Sequence, residues 1–119
     1  MYERLNKSAK NAMAYRISQP LSRIEVREMV AEIEGEISAS GKIRVLIDLQ
    51  SFPYAELGAF WEDLKFDVSH AREIERFALV GGGEVEKWSA RIFGALSWTK
   101  CRCFETGQVE EAWSWLTDQ

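Results

Sequence analysis

His70 is the sole histidine of the chain, with Asp63 and Asp67 seven and three residues before it. On a helix these positions share one flank, so two carboxylates and an imidazole could meet a metal ion. A stable centre needs a fourth ligand and outer partners, which the spacing does not supply. The plainer alternative is a solvated flank, where Lys65 and Arg72 offer ion pairs worth under about 1 kcal/mol each. Ser69 adjoins His70, but adjacent residues on a helix do not face each other, so no nucleophile–base pair follows. Gly81-Gly82-Gly83 ahead of a helix suggests an anion cradle. No GxGxxG or Walker pattern follows it, and Glu84 and Glu86 in the first turn would repel phosphate, so a tight turn is the simpler reading. Cys101 and Cys103 stand two apart in a strand-like run, on one side and too widely spaced for an easy disulfide; they read as reduced core thiols.

Asp48 is the remaining candidate, and its place depends on the stretch 43–66. Val45-Leu46-Ile47 is a continuous aliphatic run, suited to a strand covered on both faces in a parallel sheet. Asp48 closes that run, where open α/β sheets tend to bind ligands. Pro53 breaks the chain beyond it. Leu57, Phe60, Trp61, Leu64 and Val68 then line one face of a helix over about 56–70. Laying this face on the sheet would be the main packing event, at roughly 1.5–3 kcal/mol per buried side chain.

The other elements follow in order. Tyr2 to Leu5 reads as a short edge strand and residues 12–18 as a second strand, with Met13, Tyr15 and Ile17 alternating. Ser22 with Glu25 is a capping-box signature. It opens a helix with Val26, Val30, Ile33 and Ile37 on one stripe, ending near Gly41. Phe77 to Val80 is a second buried strand, and Glu84 to Phe93 a helix with Val85, Trp88 and Ile92 inward. Lys100 and Arg102 alternate with the two cysteines in a half-exposed strand near a sheet edge. Val109, Ala112, Trp113 and Leu116 line the last helix. Strand–helix alternation of this kind predicts an α/β fold. Its sheet is mainly parallel, with four to five strands and four helices, and is mixed if the N-terminal strands form a hairpin.

The totals bound the function. The 119 residues form one domain, large enough for a real core. The net charge of −4 argues against a nucleic-acid role, which needs clustered cations. No window approaches the roughly 20 apolar residues of a membrane span. The N-terminus lacks an apolar signal core, so a cytoplasmic location is expected. Five tryptophans are many for this length; most would fill the core, although Trp also suits pocket walls and interfaces.

The N-terminal strand pair, the motif VLIDLQSF (45–52) and the run FWEDLKFDVSHAREIERFALVG (60–81) together resemble the SpoIIAA-like domains. These are small bacterial proteins related to the STAS (anti-sigma-factor antagonist) fold and akin to the CRAL-TRIO lipid-binding fold. The resemblance spans nearly the whole chain and is most specific at Trp61 to Phe66, with His70 and Arg76 in the matching places. It implies the fold more than an activity. In phospho-regulated STAS proteins an Asp-Ser pair opens the helix after the Asp-ending strand, and its Ser takes the phosphate. Here the approximately matching positions are Glu56 and Leu57. Leu57 has no hydroxyl, so that switch cannot operate there, and Ser51 has the wrong spacing to replace it.

Phe93, Ala95, Leu96 and Trp98 form an unusually greasy connection, which is either core, a pocket lid or an interface. The first expectation is a non-catalytic module for a small hydrophobic or lipid-like ligand. Its candidate ligand-binding residues are Asp48, Phe52, Trp61, Lys65, Phe93 and Trp98. The second is a STAS-like interaction or regulatory domain without the phosphoacceptor serine, homodimeric through Phe93–Trp98. An enzyme with Asp48 or Asp63 as base ranks last, and no metal or cofactor is expected.

Overall fold

A computed structural model describes residues 2–5, 7, 9, 11–18, 22–49, 73–81 and 100–118. They hold five strands, β1 (Tyr2–Arg4), β2 (Ala12–Ile17), β3 (Ile43–Asp48), β4 (Ile74–Val80) and β5 (Lys100–Phe104). Two helices accompany them, α1 (Arg23–Ser40) and α2 (Val109–Thr117). Two helices rather than four thus stand among the described residues; those expected over 56–70 and 84–93 lie outside them.

The strands lie side by side in chain order, β1-β2-β3-β4-β5. β1 runs antiparallel to β2, and every later pair is parallel. The N-terminal strands therefore make the sheet mixed, and β3 is its middle strand. Its IRVLID sequence is buried at five of six positions, as a strand covered on both faces requires.

Alternation along each strand sorts side chains to two faces. Met13, Tyr15 and Ile17 of β2, with Val45, Ile47, Phe77 and Leu79, meet Met29, Ile33 and Ile37 of α1. Ala12 and Ala14 of β2, with Leu46, Ala78, Val80 and Phe104, meet Ala112 and Leu116 of α2. The β2–α1–β3 crossover thus covers one face, and α2, following the last strand, covers the other.

α1 begins as its sequence predicts. The Ser22 hydroxyl accepts from the Glu25 N–H at 3.2 Å, and the Glu25 carboxylate accepts from the Ser22 N–H at 3.2 Å. These bonds satisfy two N–H groups that a helix start leaves orphaned. Its backbone bond from Ser22 holds the Glu25 carboxyl below the usual range. The helix ends at Gly41, whose φ of 84° lies in the left-handed region and whose N–H donates to the Ile37 carbonyl at 2.7 Å. Met29, fully buried, joins the expected stripe of α1.

β4 is longer than its apolar run suggests. Ile43 pairs with Ile74 but Arg44 pairs with Arg76, so Glu75 is an extra residue at a bulge. The Glu75 carboxylate accepts from Arg44 Nε at 3.1 Å. An interruption that looks like a strand boundary in sequence is therefore a cross-strand ion pair.

Candidate functional site

The parallel strands β2, β3 and β4 direct their C-terminal ends to one rim of the sheet, where Asp48 closes β3. Asp48 is 3% exposed, the one buried charged residue among those described. In register it faces Arg16, the penultimate residue of β2. Arg16 Nε donates to Asp48 Oδ2 at 3.1 Å. Arg16 Nη1 lies 3.5 Å from Glu3 Oε1 of β1. A guanidinium half-open to solvent is thus held between a buried and an exposed carboxylate. Burying a charge without a partner is costly, and Arg16 lowers that cost for Asp48. Beside this pair the strand ends are joined through the backbone: the Leu49 N–H donates to the Val80 carbonyl at 2.8 Å, and the Gly81 N–H to the Phe104 carbonyl at 3.0 Å.

Of the sequence-derived ligand residues, Asp48 is placed as expected, buried at the strand end. Phe52, Trp61, Lys65, Phe93 and Trp98 lie outside the described residues, as do His70, Asp63 and Asp67. Arg16 was not singled out by sequence reasoning; the available signal was a lone cation in the otherwise apolar AMAYRI strand.

A second polar pair lies on the α1 face. Fully buried Tyr15 donates through its hydroxyl to Glu32 Oε2 of α1 at 2.8 Å. Desolvation, then this hydrogen bond, raises the Tyr15 pKa well above its ordinary value. Tyr2 packs edge-on against the Tyr15 ring at 5.9 Å between centroids, and burial with the nearby Glu32 and Glu28 raises its pKa too. A phenol held this firmly in its neutral form is a structural donor, not a base.

Cys101 and Cys103 are unoxidised thiols packed against the α1-face core. Burial pushes the Cys101 thiol up to about 11, so little thiolate exists near neutral pH. The expectation of core thiols rather than a redox pair matches that environment. Among the described residues, no three His, Cys, Asp or Glu side chains come together as a metal site. No helix among them is long and apolar enough to cross a membrane.

A mainly parallel five-stranded sheet, helix-covered on both faces, with a neutralised carboxylate at its C-terminal rim, defines an α/β domain of the open-sheet class. The chain belongs to the SpoIIAA-like family, whose family model matches residues 12–117. It is similar in structure to an uncharacterised protein of the DUF3478 family with a SpoIIAA-like fold from Shewanella loihica PV-4. That likeness has a TM-score of 0.68 at 20% sequence identity and covers 97% of this chain and 93% of the other. No curated protein matches the chain in sequence.

Proposed function

We propose that the protein is a non-catalytic binding module for a small hydrophobic or lipid-like ligand, taken up at the C-terminal rim of the sheet. The observation that carries this reading is the Arg16–Asp48 pair, in which a buried carboxylate directly follows the aliphatic run Val45-Leu46-Ile47 at the end of β3. Ligand sites of open α/β sheets lie at that rim, and a mostly apolar pocket with few fixed polar groups suits an amphipathic molecule. In this reading Phe52, Trp61, Phe93 and Trp98 supply apolar wall, and Lys65 and Asp48 supply orientation. The kinship of SpoIIAA-like domains with CRAL-TRIO lipid carriers points the same way. The test is mass spectrometry of organic extracts from gently purified protein, with a lipid panel scored by melting temperature. A co-purifying apolar molecule, or a lipid that raises the melting temperature of the wild type but less so of Trp61→Ala, supports the reading. Empty protein that no lipid stabilises defeats it.

A second reading, an interaction domain, is favoured by Ile24. This side chain is 70% exposed on the first turn of α1, the one large exposed apolar residue among those described. Light scattering of the wild type beside Ile24→Asp and Trp98→Asp decides it: a dimer dissociated by either change supports self-association. Monomers throughout, with no partner in pull-downs, oppose it.

A further inference from the structure

Arg44, Arg76 and Lys100 stand in one row across β3, β4 and β5, because Arg44 pairs in register with Arg76 and Arg76 with Lys100. Adjacent strands lie about 4.8 Å apart, so this is a row of like charges, which is destabilising unless something offsets it. Arg102 follows Lys100 by two residues and lies on the same side of β5, about 6.7 Å along. Arg44 has its offset: it pairs with Glu75 and donates to the carbonyls of Leu116 and Asp118 at 2.9 and 2.7 Å. Among the described residues, none of Arg76, Lys100 and Arg102 enters an ion pair.

Two of these cations are also oriented. The Arg76 guanidinium stacks 5.5 Å from the Trp115 ring centre, and one of its nitrogens donates to the Trp115 carbonyl at 2.7 Å. The Arg102 guanidinium lies 5.0 Å from the Phe104 ring centre. A stacked guanidinium keeps its outer N–H edge free for an oxyanion in a fixed plane. Lys100 and Arg102 are exposed, so an anion reaches them without rearrangement of the core.

We propose that Arg76, Lys100 and Arg102 form a surface site for a phosphate-class oxyanion. The site lies where β5 begins, at the opposite end of the strands from Asp48, and does not depend on the rim ligand. The negative end of α2 takes up part of the Arg76 charge, so Lys100 and Arg102 carry most of the attraction. The overall negative charge favours a small phosphate group over an extended polyanion, which would meet repulsion beyond the patch.

The test is titration of the ¹⁵N-labelled full chain with inorganic phosphate against chloride at matched ionic strength, followed by amide shifts. A parallel arm measures pelleting with phosphatidic acid vesicles and with phosphatidylcholine vesicles. The comparison protein is Lys100→Gln with Arg102→Gln, whose exposed positions leave the melting temperature near wild type. The expected result is a saturable shift confined to the β4 and β5 starts, weakened at least about tenfold in the double variant. Saturation without vesicle binding assigns the site to soluble phosphates. Pelleting with phosphatidic acid alone, lost in the double variant, assigns it to a lipid headgroup. Shifts that never saturate, or that the double variant reproduces, overturn the proposal.

Discussion

The two faces of the sheet are built on different principles. Towards α1 the strands present large side chains: Met13, Tyr15, Ile17, Ile47, Phe77 and Leu79 all lie under that helix or its flanks. Towards α2 they present three alanines, Ala12, Ala14 and Ala78, beside Leu46, Val80 and Phe104, answered by Ala112 and Leu116 on the helix. Small residues on both sides let α2 come close, and a nine-residue helix buries only Ala112 and Leu116 completely. What apolar area alone does not supply, arginines do. α2 has no basic residue in its last turn, yet the carbonyls of Trp115, Leu116 and Asp118 receive N–H bonds from Arg44 and Arg76 of the sheet. Carbonyls at a helix end lack the next turn's N–H groups, although that of Trp115 also accepts from the Asp118 N–H, and cations there complement the dipole. One face is held by volume and the other by close approach and charged hydrogen bonds.

The sharpest way to break this contrast is truncation on the large-residue face. Ile47→Ala should cost about 2–5 kcal/mol, because the cavity under α1 cannot collapse against a rigid middle strand. Urea unfolding reads this as a lower midpoint at unchanged slope. The opposite change tests the small-residue face. Ala78→Leu should cost about 1–3 kcal/mol through overpacking, and hydrogen exchange should rise in α2 before α1. A small cost with unchanged α2 protection would mean that the helix does not sit closely on β4.

Arg76→Gln comes next, at about 1–2 kcal/mol, below the value for a fully buried charged bond because Arg76 is only partly covered. Arg76→Lys should recover little of it, since an ammonium cannot both stack on Trp115 and reach its carbonyl in the same plane. The smallest effect belongs to Tyr15→Phe, at about 0.5–1.5 kcal/mol near neutral pH from the lost bond to Glu32. Its signature is in the alkaline range. Burial and the bond to Glu32 raise the Tyr15 pKa above the ordinary phenol value of about 10, so the native fold prefers the neutral phenol. The stability linked to that proton is fully present below about pH 10 and is lost as pH rises further. Wild-type melting temperature should therefore fall above pH 10 more steeply than that of Tyr15→Phe. Tyr2, shifted in the same direction, leaves a residual slope in the variant.

Much of the frame was legible along the chain, and the reasons are local. The Ser22–Glu25 box and Gly41 bound α1 because capping involves residues three or four apart. Val45-Leu46-Ile47 and Phe77 to Val80 declared two inner strands because both faces of such a strand must be apolar. Lys100 and Arg102, alternating with cysteines, declared an outer one. Asp48 could be placed at a strand end for the same reason. Its partner could not: Arg16 is 32 residues away, and only the parallel register of β2 on β3 brings them together.

Among the described residues, the amino-acid order by itself thus determined which segments become strands and helices and which side chains turn to opposite faces. These follow from periodicity and from bonds within a single turn. The tertiary structure alone decided that Glu75 bulges out to meet Arg44, that Arg16 neutralises Asp48, and that two sheet arginines close the end of α2. Each of those pairings joins positions 31 or more residues apart. No local pattern encodes such a distance; strand register does, and register is settled only when both faces pack.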